Sequence, residues 1–458
     1  MKKSILFITL ILTSLVLLKV THSYLNARKA IYPYNPNVDY KYNEDNAQVL
    51  SLLLKNNQLT IPDSIDTNYS AFIKLKVSSS FWGNWFQTSV ESTISDKSSI
   101  DYFEDGVDGF RFINISSILG KGPKKLNLKG TRTILEDQEV KLFLFENKDL
   151  SSAKILVVAT HPDDAEIAAY GLYSKYPNTF VLNIKSGESG PFKYDEVYSD
   201  TIAHYRKKGQ LRTWNSITVP LLGGIDHDNT LNLGYFSNLK KMFTESPKEL
   251  PAAFTNTKDI NTYRSQNFSV LRDSLTGSSN WPSLIENLSF VLNFLNPDII
   301  VTPYPVLDAH VEHQYTTIAV MEALKKSNIK SGELFLYHNH FILNEYFPYG
   351  KAGGSISLPP NFKNNLYYKR IFSNPLSTDL QKDKLFALEA MHDLRPDTEW
   401  RFGWKSLKKG FQTTKGEISQ SNNSYFRRAV RSNELFFVVP IRDIYQPNVW
   451  NKITTVAH

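Results

Sequence analysis

A chain of 458 residues exceeds one ordinary hydrophobic core, so two domains, or one large domain with appendages, is the starting expectation. Hydrophobic residues at 41% and charged residues at 21% are those of a folded globular chain and exclude a disordered, collagen-like or multi-span membrane protein. The net charge of +7 is scattered in short pairs such as Lys207-Lys208, which points to a solvated basic surface and away from nucleic acid, and the lack of cysteine removes thiolate metal ligands, thiol nucleophiles and disulfides.

Met1-Lys2-Lys3 precedes an apolar stretch from Ile5 to Leu18 that Lys19 interrupts, the form of an export signal. Residues 1–23 are read as a signal peptide or a membrane anchor. Cleavage near Thr21 and Ser23 and retention with a snorkelling Lys19 both stay open. The expected location is periplasmic, extracellular or membrane-tethered. Residues 24–45 are polar, hold Pro33 and Pro36, and read as a linker.

From 46 to 150 the chain offers alternating runs, among them Ala71–Val77, Gly109–Ile115 and Val140–Phe145, separated by Gly, Asp, Asn and Ser. Period-two patterning predicts antiparallel strands and a small β-sandwich domain. Trp82, Trp85 and Phe86 are expected to pack in its core, with display for sugar stacking as the alternative.

Residues 151–458 read as a second domain. Ile155–Val158 is a continuous apolar run of the kind found in central parallel strands, and a polar turn and a helical stretch follow it. Phe180–Ile184, Asp298–Val301 and Leu334–Tyr337 are further strands; helices are expected over 199–214, 283–295 and 314–325. The fold class is therefore α/β, a doubly wound, Rossmann-like, mostly parallel sheet preceded by the sandwich. Residues 235–282 lack periodicity and read as an insertion near the crevice beyond the strands' carboxyl ends.

Two segments follow buried strands directly. His161-Pro-Asp-Asp164 follows the first, and the strand ending near Val301 leads into Asp308, His310, Glu312 and His313, so three of ten histidines lie in two short stretches. Imidazole and carboxylate suit zinc, and adjacent carboxylates can divide metal binding from proton transfer. A bland alternative, in which Asp163 or Asp164 only caps the next helix, fits either segment alone better than both together.

Ala159-Thr-His-Pro-Asp-Asp-Ala-Glu166 resembles the signature of the PIG-L/LmbE-type N-deacetylases, and His310-Val-Glu-His313 stands where that family carries His-x-Asp-His. The likeness runs over roughly 153–345, with looser matches at Lys384, Ala387, Leu388 and His392, at Tyr425, and at Glu434–Phe437. It implies that His161, Asp164 and His313 ligate Zn2+, that Asp163 is the general base acting on a zinc-bound water, and that protonated His310 stabilises the oxyanion. The substrate so implied is an N-acetylhexosamine glycan or glycoconjugate. Glu312 departs from the family's Asp at a position that supports a histidine. Arg206 and Asp228 resemble positions that contact sugar hydroxyls, with His227 competing for the latter role. Glu188 either reaches the cleft or only shapes its turn, and Trp400, Phe402 and Trp404 are core residues or stacking platforms. Rival readings are a zinc hydrolase of another acyl amide or ester and a non-catalytic glycan-binding protein.

Overall fold

The computed structural model describes residues 11–19, 21–22, 31–122, 124–190, 197–275, 277–392 and 428–455. Trp400, Phe402, Trp404 and Tyr425 lie outside them. The chain is mixed α/β, with three sheets among the described residues.

Nine strands come first: β1 (Gln48–Leu54), β2 (Gln58–Ile61), β3 (Tyr69–Ser79), β4 (Thr88–Ile94), β5 (Lys97–Phe103), β6 (Asp108–Asn114), β7 (Lys124–Thr131), β8 (Thr133–Ile134) and β9 (Gln138–Glu146). One antiparallel sheet runs β1-β9-β3-β6 with β8 beside β3; the other runs β2-β7-β4-β5. Successive side chains of a strand face opposite ways. Ala71, Ile73, Leu75 and Val77 therefore meet Val90, Leu126 and Leu128 of the second sheet. Phe72, on the other face, joins Phe112, Phe143 and Phe145 against Tyr368 and Phe437 from the rest of the chain.

Residues 32–42 lie across this junction. Tyr42 Oη donates to Pro359 O at 2.6 Å, Lys41 N to Asn361 O at 2.7 Å, and Arg111 Nη1 to Val38 O at 3.0 Å.

The third sheet is built from β10 (Ile155–Ala159), β11 (Thr179–Lys185), β12 (Thr230–Tyr235), β13 (Ile299–Pro303), β14 (Glu333–Tyr337), β15 (Arg370–Pro375) and β16 (Asn433–Pro440). Its order is β12-β11-β10-β13-β14-β16-β15, with β10 to β14 parallel and β16 antiparallel to both neighbours. Between them run α1 (Asp164–Lys175), α2 (Thr201–Thr218), α3 (Leu239–Thr244), α4 (Asn261–Arg264), α5 (Trp281–Leu295), α6 (Val311–Lys326) and α7 (Thr378–Ala390). Continuous apolar runs are required because both faces are covered. Leu156 and Val158 pack in a cluster with residues of α5 and α6, while Ile155 and Val157 pack with residues of α1 and α7.

From β10 the chain steps outward to β11 and β12, then returns to β13 on β10's other side. The order thus reverses between β10 and β13, where the loops diverge and leave a crevice at the strands' carboxyl ends. Both histidine segments open onto it.

The aromatic expectation for residues 82–86 is overturned. Trp82, Trp85 and Phe86 stand outside the core, on the surface, because they occupy the short turn between β3 and β4 rather than a strand face.

Candidate metal centre and active site

The turn after β10 carries His161, and α1 begins at Asp164. The Asp164 carboxylate folds back over the turn, Oδ2 accepting from His161 N at 2.9 Å, and Asn339 Nδ2 donates to Oδ1 at 2.8 Å. Across the crevice α6 begins one residue after His310, which places His313 in its first turn.

Three potential donors converge. His161 Nδ1 lies 3.3 Å from Asp164 Oδ2 and 3.3 Å from His313 Nε2, and His313 Nε2 lies 3.0 Å from Asp164 Oδ2. Ligands ~2.0–2.1 Å from a tetrahedral zinc stand ~3.3 Å apart, so the triangle fits such an ion, and a ring nitrogen of His310 lies within 4.8 Å of ring nitrogens of His161 and His313. The outward nitrogens are fixed by carboxylates: His161 Nε2 is 3.0 Å from Glu312 Oε2, and His313 Nδ1 is 3.0 Å from Asp308 Oδ2. That is the support metal-bound imidazoles require, since it leaves the inward nitrogen free to coordinate. Glu312 Oε1 in turn is 2.5 Å from Lys185 Nζ and accepts from Leu239 N at 3.2 Å, which ties the segment after β12 to the site.

The electrostatics are those of a cation site. Burial alone would raise the Asp164 carboxyl, but His313 and His161 outweigh it and hold the group well below the usual carboxylate range. Burial likewise disfavours a charged His313, yet Asp164 and Asp308 raise it well above the ordinary imidazole value. Negative charge thus surrounds the triangle's nitrogens.

Asp163 behaves differently from Asp164. It holds the N-cap position of α1 without making a side-chain cap, so the capping alternative fails there. Its φ of 147° is a backbone conformation that L residues seldom adopt, and such strain persists only where surrounding structure enforces it. The side chain instead meets Arg212, whose Nη2 is 3.0 Å from Asp163 Oδ2 and donates to Pro162 O at 2.8 Å. Burial raises the Asp163 pKa; Arg212 opposes it. A carboxylate poised this way suits proton transfer.

His310 lies beside the triangle, its ring centroid 5.0 Å from that of His161 and 4.6 Å from that of His313. Burial, then the charge on His313 and His161, pushes it down to about 4. His340, from the loop after β14, sits with its ring 5.4 Å from His310 and 5.2 Å from His313.

The structure therefore brings together His161, Asp163, Asp164, His310 and His313. Arg206 is exposed on α2, and Arg212 on the same helix reaches Asp163 instead. Asp228 lies in the turn that leads into the amino end of β12, opposite the carboxyl ends that form the crevice, and is exposed beside His227 and Asp226. Glu188 is fully buried, accepting from Ser186 Oγ at 3.0 Å within its own loop. Sequence reasoning assigned no role to Arg212, Lys185, Asp308 or Asn339. Asp308 alone carried a signal, as an acidic residue within the histidine-bearing loop.

Residues 156–324 match the family model described as PIG-L, GlcNAc-PI de-N-acetylase, so the resemblance read from the two histidine segments holds over that stretch. No curated protein matches the chain. Similar solved structures include the conserved protein TT1542 from Thermus thermophilus (17% identity over 52% of this chain and 79% of that one, TM-score 0.30). Another is GalB, the 4-carboxy-2-hydroxymuconate hydratase from Pseudomonas putida (13%, 63% and 95%, TM-score 0.32). A third is the zinc-inhibited form of teicoplanin deacetylase Orf2 (11%, 62% and 98%, TM-score 0.31). Likenesses at these scores carry nothing about activity.

Proposed function

We propose that the chain is a zinc-dependent N-deacetylase that hydrolyses the acetamide of an N-acetylhexosamine in a glycan or glycoconjugate, giving acetate and a free amino sugar. The observation that carries this reading is the donor triangle of His161, Asp164 and His313, with Asp163 kept out of it by Arg212. The family match over 156–324 supports the reaction class.

His161, Asp164 and His313 would hold the ion. When bound, zinc supplies Lewis acidity toward the acyl oxygen and lowers the pKa of water toward ~7. Asp163 accepts the proton of the attacking water; Arg212 occupies Oδ2, which leaves Oδ1 for that proton. As the water oxygen bonds to the acyl carbon, negative charge gathers on the acyl oxygen, and a ring N–H of His310, which stands beside His161 and His313, donates to it. The C–N bond then breaks, and Asp163 delivers its proton to the departing amine. Glu312 and Asp308 keep the two imidazoles oriented throughout.

The finer architecture belongs to the same reading. Residues 46–150 form a small β-sandwich, residues 151–458 a doubly wound catalytic domain, and residues 1–23 an export signal or anchor that sets the enzyme among envelope glycans. Among the described residues no helix is long and apolar enough to cross a membrane.

The test is acetate release by the full-length protein from N-acetylglucosamine oligomers and cell-envelope glycans. Activity is expected to vanish with chelator and return with zinc. A zinc-loaded protein inactive across a broad panel of N-acetyl sugars would overturn the substrate assignment.

A further inference from the structure

Between β3 and β4 the sequence Phe81-Trp-Gly-Asn-Trp-Phe86 makes a tight turn whose four rings face solvent: Phe81 is 72% exposed, Trp82 61%, Trp85 42% and Phe86 50%. Apolar area of this extent is rare on a soluble surface unless something covers it. Ile134, 49% exposed, faces Ser78 across the β3–β8 pair and extends the patch. The Arg132 guanidinium lies 5.4 Å from the Phe86 ring.

The turn is firmly built. Trp85 N and Phe86 N both donate to Trp82 O, at 3.1 and 3.0 Å, Ser80 N donates to Arg132 O at 2.9 Å, and Gly106 N to Gly83 O at 2.8 Å. A Cβ at Gly83 would come within 2.2 Å of Arg132 O, so only glycine lets the turn seat there. The rings are thus presented by fixed backbone.

We infer that this turn is a membrane-contact site that enters the interfacial region of a lipid bilayer, with Arg132 among the headgroup phosphates. Ring geometry favours lipid over sugar. Phe81 and Trp82 stand at 78° to each other, and Trp82 and Phe86 at 39°, so they offer a wedge rather than the flat face on which a pyranose stacks. Two of the four are Phe, which lacks the polar tip that orients a hydroxylated ligand. Hydrocarbon needs no directed partner.

Location supplies the second argument. Gly106 is bonded to the turn, and Glu104, two residues earlier, accepts from Tyr34 Oη at 3.1 Å. Two residues span at most ~7 Å of chain, so Tyr34 and the aromatic turn share one end of the β region. Tyr34 is where the chain arrives from its apolar N-terminal segment, in which Ile11, Leu12 and Leu15–Leu18 are 45–66% exposed on the helix at 11–19. The apolar N-terminal segment Ile5–Leu18 thus joins the described fold, in chain order, at the end that carries the aromatic turn. Stable membrane attachment generally takes two such signals, and a second point would also fix how the catalytic region faces the bilayer. This inference is independent of the proposed deacetylation.

The chain has no cysteine, so Phe81→Cys and, at the other end of β4, Asp96→Cys each carry a single environment-sensitive fluorophore. In full-length protein reconstituted into phosphatidylcholine–phosphatidylglycerol vesicles, the probe at 81 is expected to be quenched several-fold more by brominated lipid than the probe at 96, and less by aqueous iodide. Equal quenching at the two positions would overturn the inference. So would a probe at 81 that ignores lipid but is shielded by soluble N-acetylglucosamine oligomers, which would make the turn a sugar platform. Unchanged circular dichroism would verify that each labelled variant is folded.

Discussion

The crevice beyond β10 and β13 and the turn between β3 and β4 invert the usual partition in opposite senses. In the crevice, Asp164, Asp308 and His313 are withdrawn from water, and each has named partners. In the turn, four aromatic side chains are exposed to water over much of their surface. Buried charge and exposed apolar area are the two departures that carry information about function, because ordinary folding energetics opposes both. A buried charge is tolerated when neighbours repay its desolvation, as Glu312 and Lys185 do for each other.

The largest effect should follow from breaking the crevice's chemistry while sparing its charge balance. Asp163→Asn is expected to slow acetate release by ~10²–10⁴-fold with bound zinc unchanged, read by steady-state kinetics beside metal analysis. Lost metal would show that Asp163 is a ligand rather than the proton acceptor.

Next comes a buried charge away from the crevice. Lys384 Nζ lies 3.0 Å from Glu434 Oε1, and both side chains are 1% exposed. Lys384→Met strands the carboxylate and should cost about 3–5 kcal/mol in denaturant unfolding, although Gly171 N and Leu172 N still donate to it. A cost near zero would mean that the two backbone donors and Asn374 Nδ2, which donates to Glu434 Oε2 at 3.1 Å, suffice. Asp308→Asn, which removes the anionic partner of His313 Nδ1, should weaken zinc affinity ~10–100-fold in chelator competition.

A smaller effect concerns Asp101, which burial pushes up to about 8 despite the Asn114 N–H that it accepts. Its folded pKa exceeds the unfolded one, so this group's contribution is fully present below about pH 4 and is lost as pH rises through about 8. Asp101→Asn should remove that part of the slope of stability against pH, measured as the difference between variant and parent. Smallest of all is Phe81→Ser, expected to change folding stability by no more than ~0.5 kcal/mol. A larger loss would make the turn structural and erase the contrast with the crevice.

Much of the catalytic scaffold was legible because a strand covered on both faces must be apolar throughout: Ile155–Val158 and Phe180–Ile184 admit few other placements. The pairing of two histidine segments was legible for the same reason, since each follows such a strand. Side-chain reach was not. Arg206 and Arg212 lie on one helix, and its periodicity does not say which arginine faces Asp163. Asp228 follows a Gly-Gly pair that suggests a loop, but nothing local tells which end of β12 that loop joins. Glu312 looked like a weakness; its longer side chain spans His161 and Lys185 together. The exposed rings were misjudged because aromatic residues are usually core, and a six-residue turn has no period to contradict that expectation.

One feature of the third sheet bears on the order in which the molecule can be completed. β16 is made last of its strands yet lies between β14 and β15, so a nascent chain that has not reached Asn433 leaves both with an unpaired edge. Every side chain of the candidate metal site, from His161 to His313, is by then synthesised. The crevice therefore precedes in time the strand that seals its sheet, and Glu434 on that strand, by accepting from Gly171 N and Leu172 N, also latches the helix that begins at Asp164.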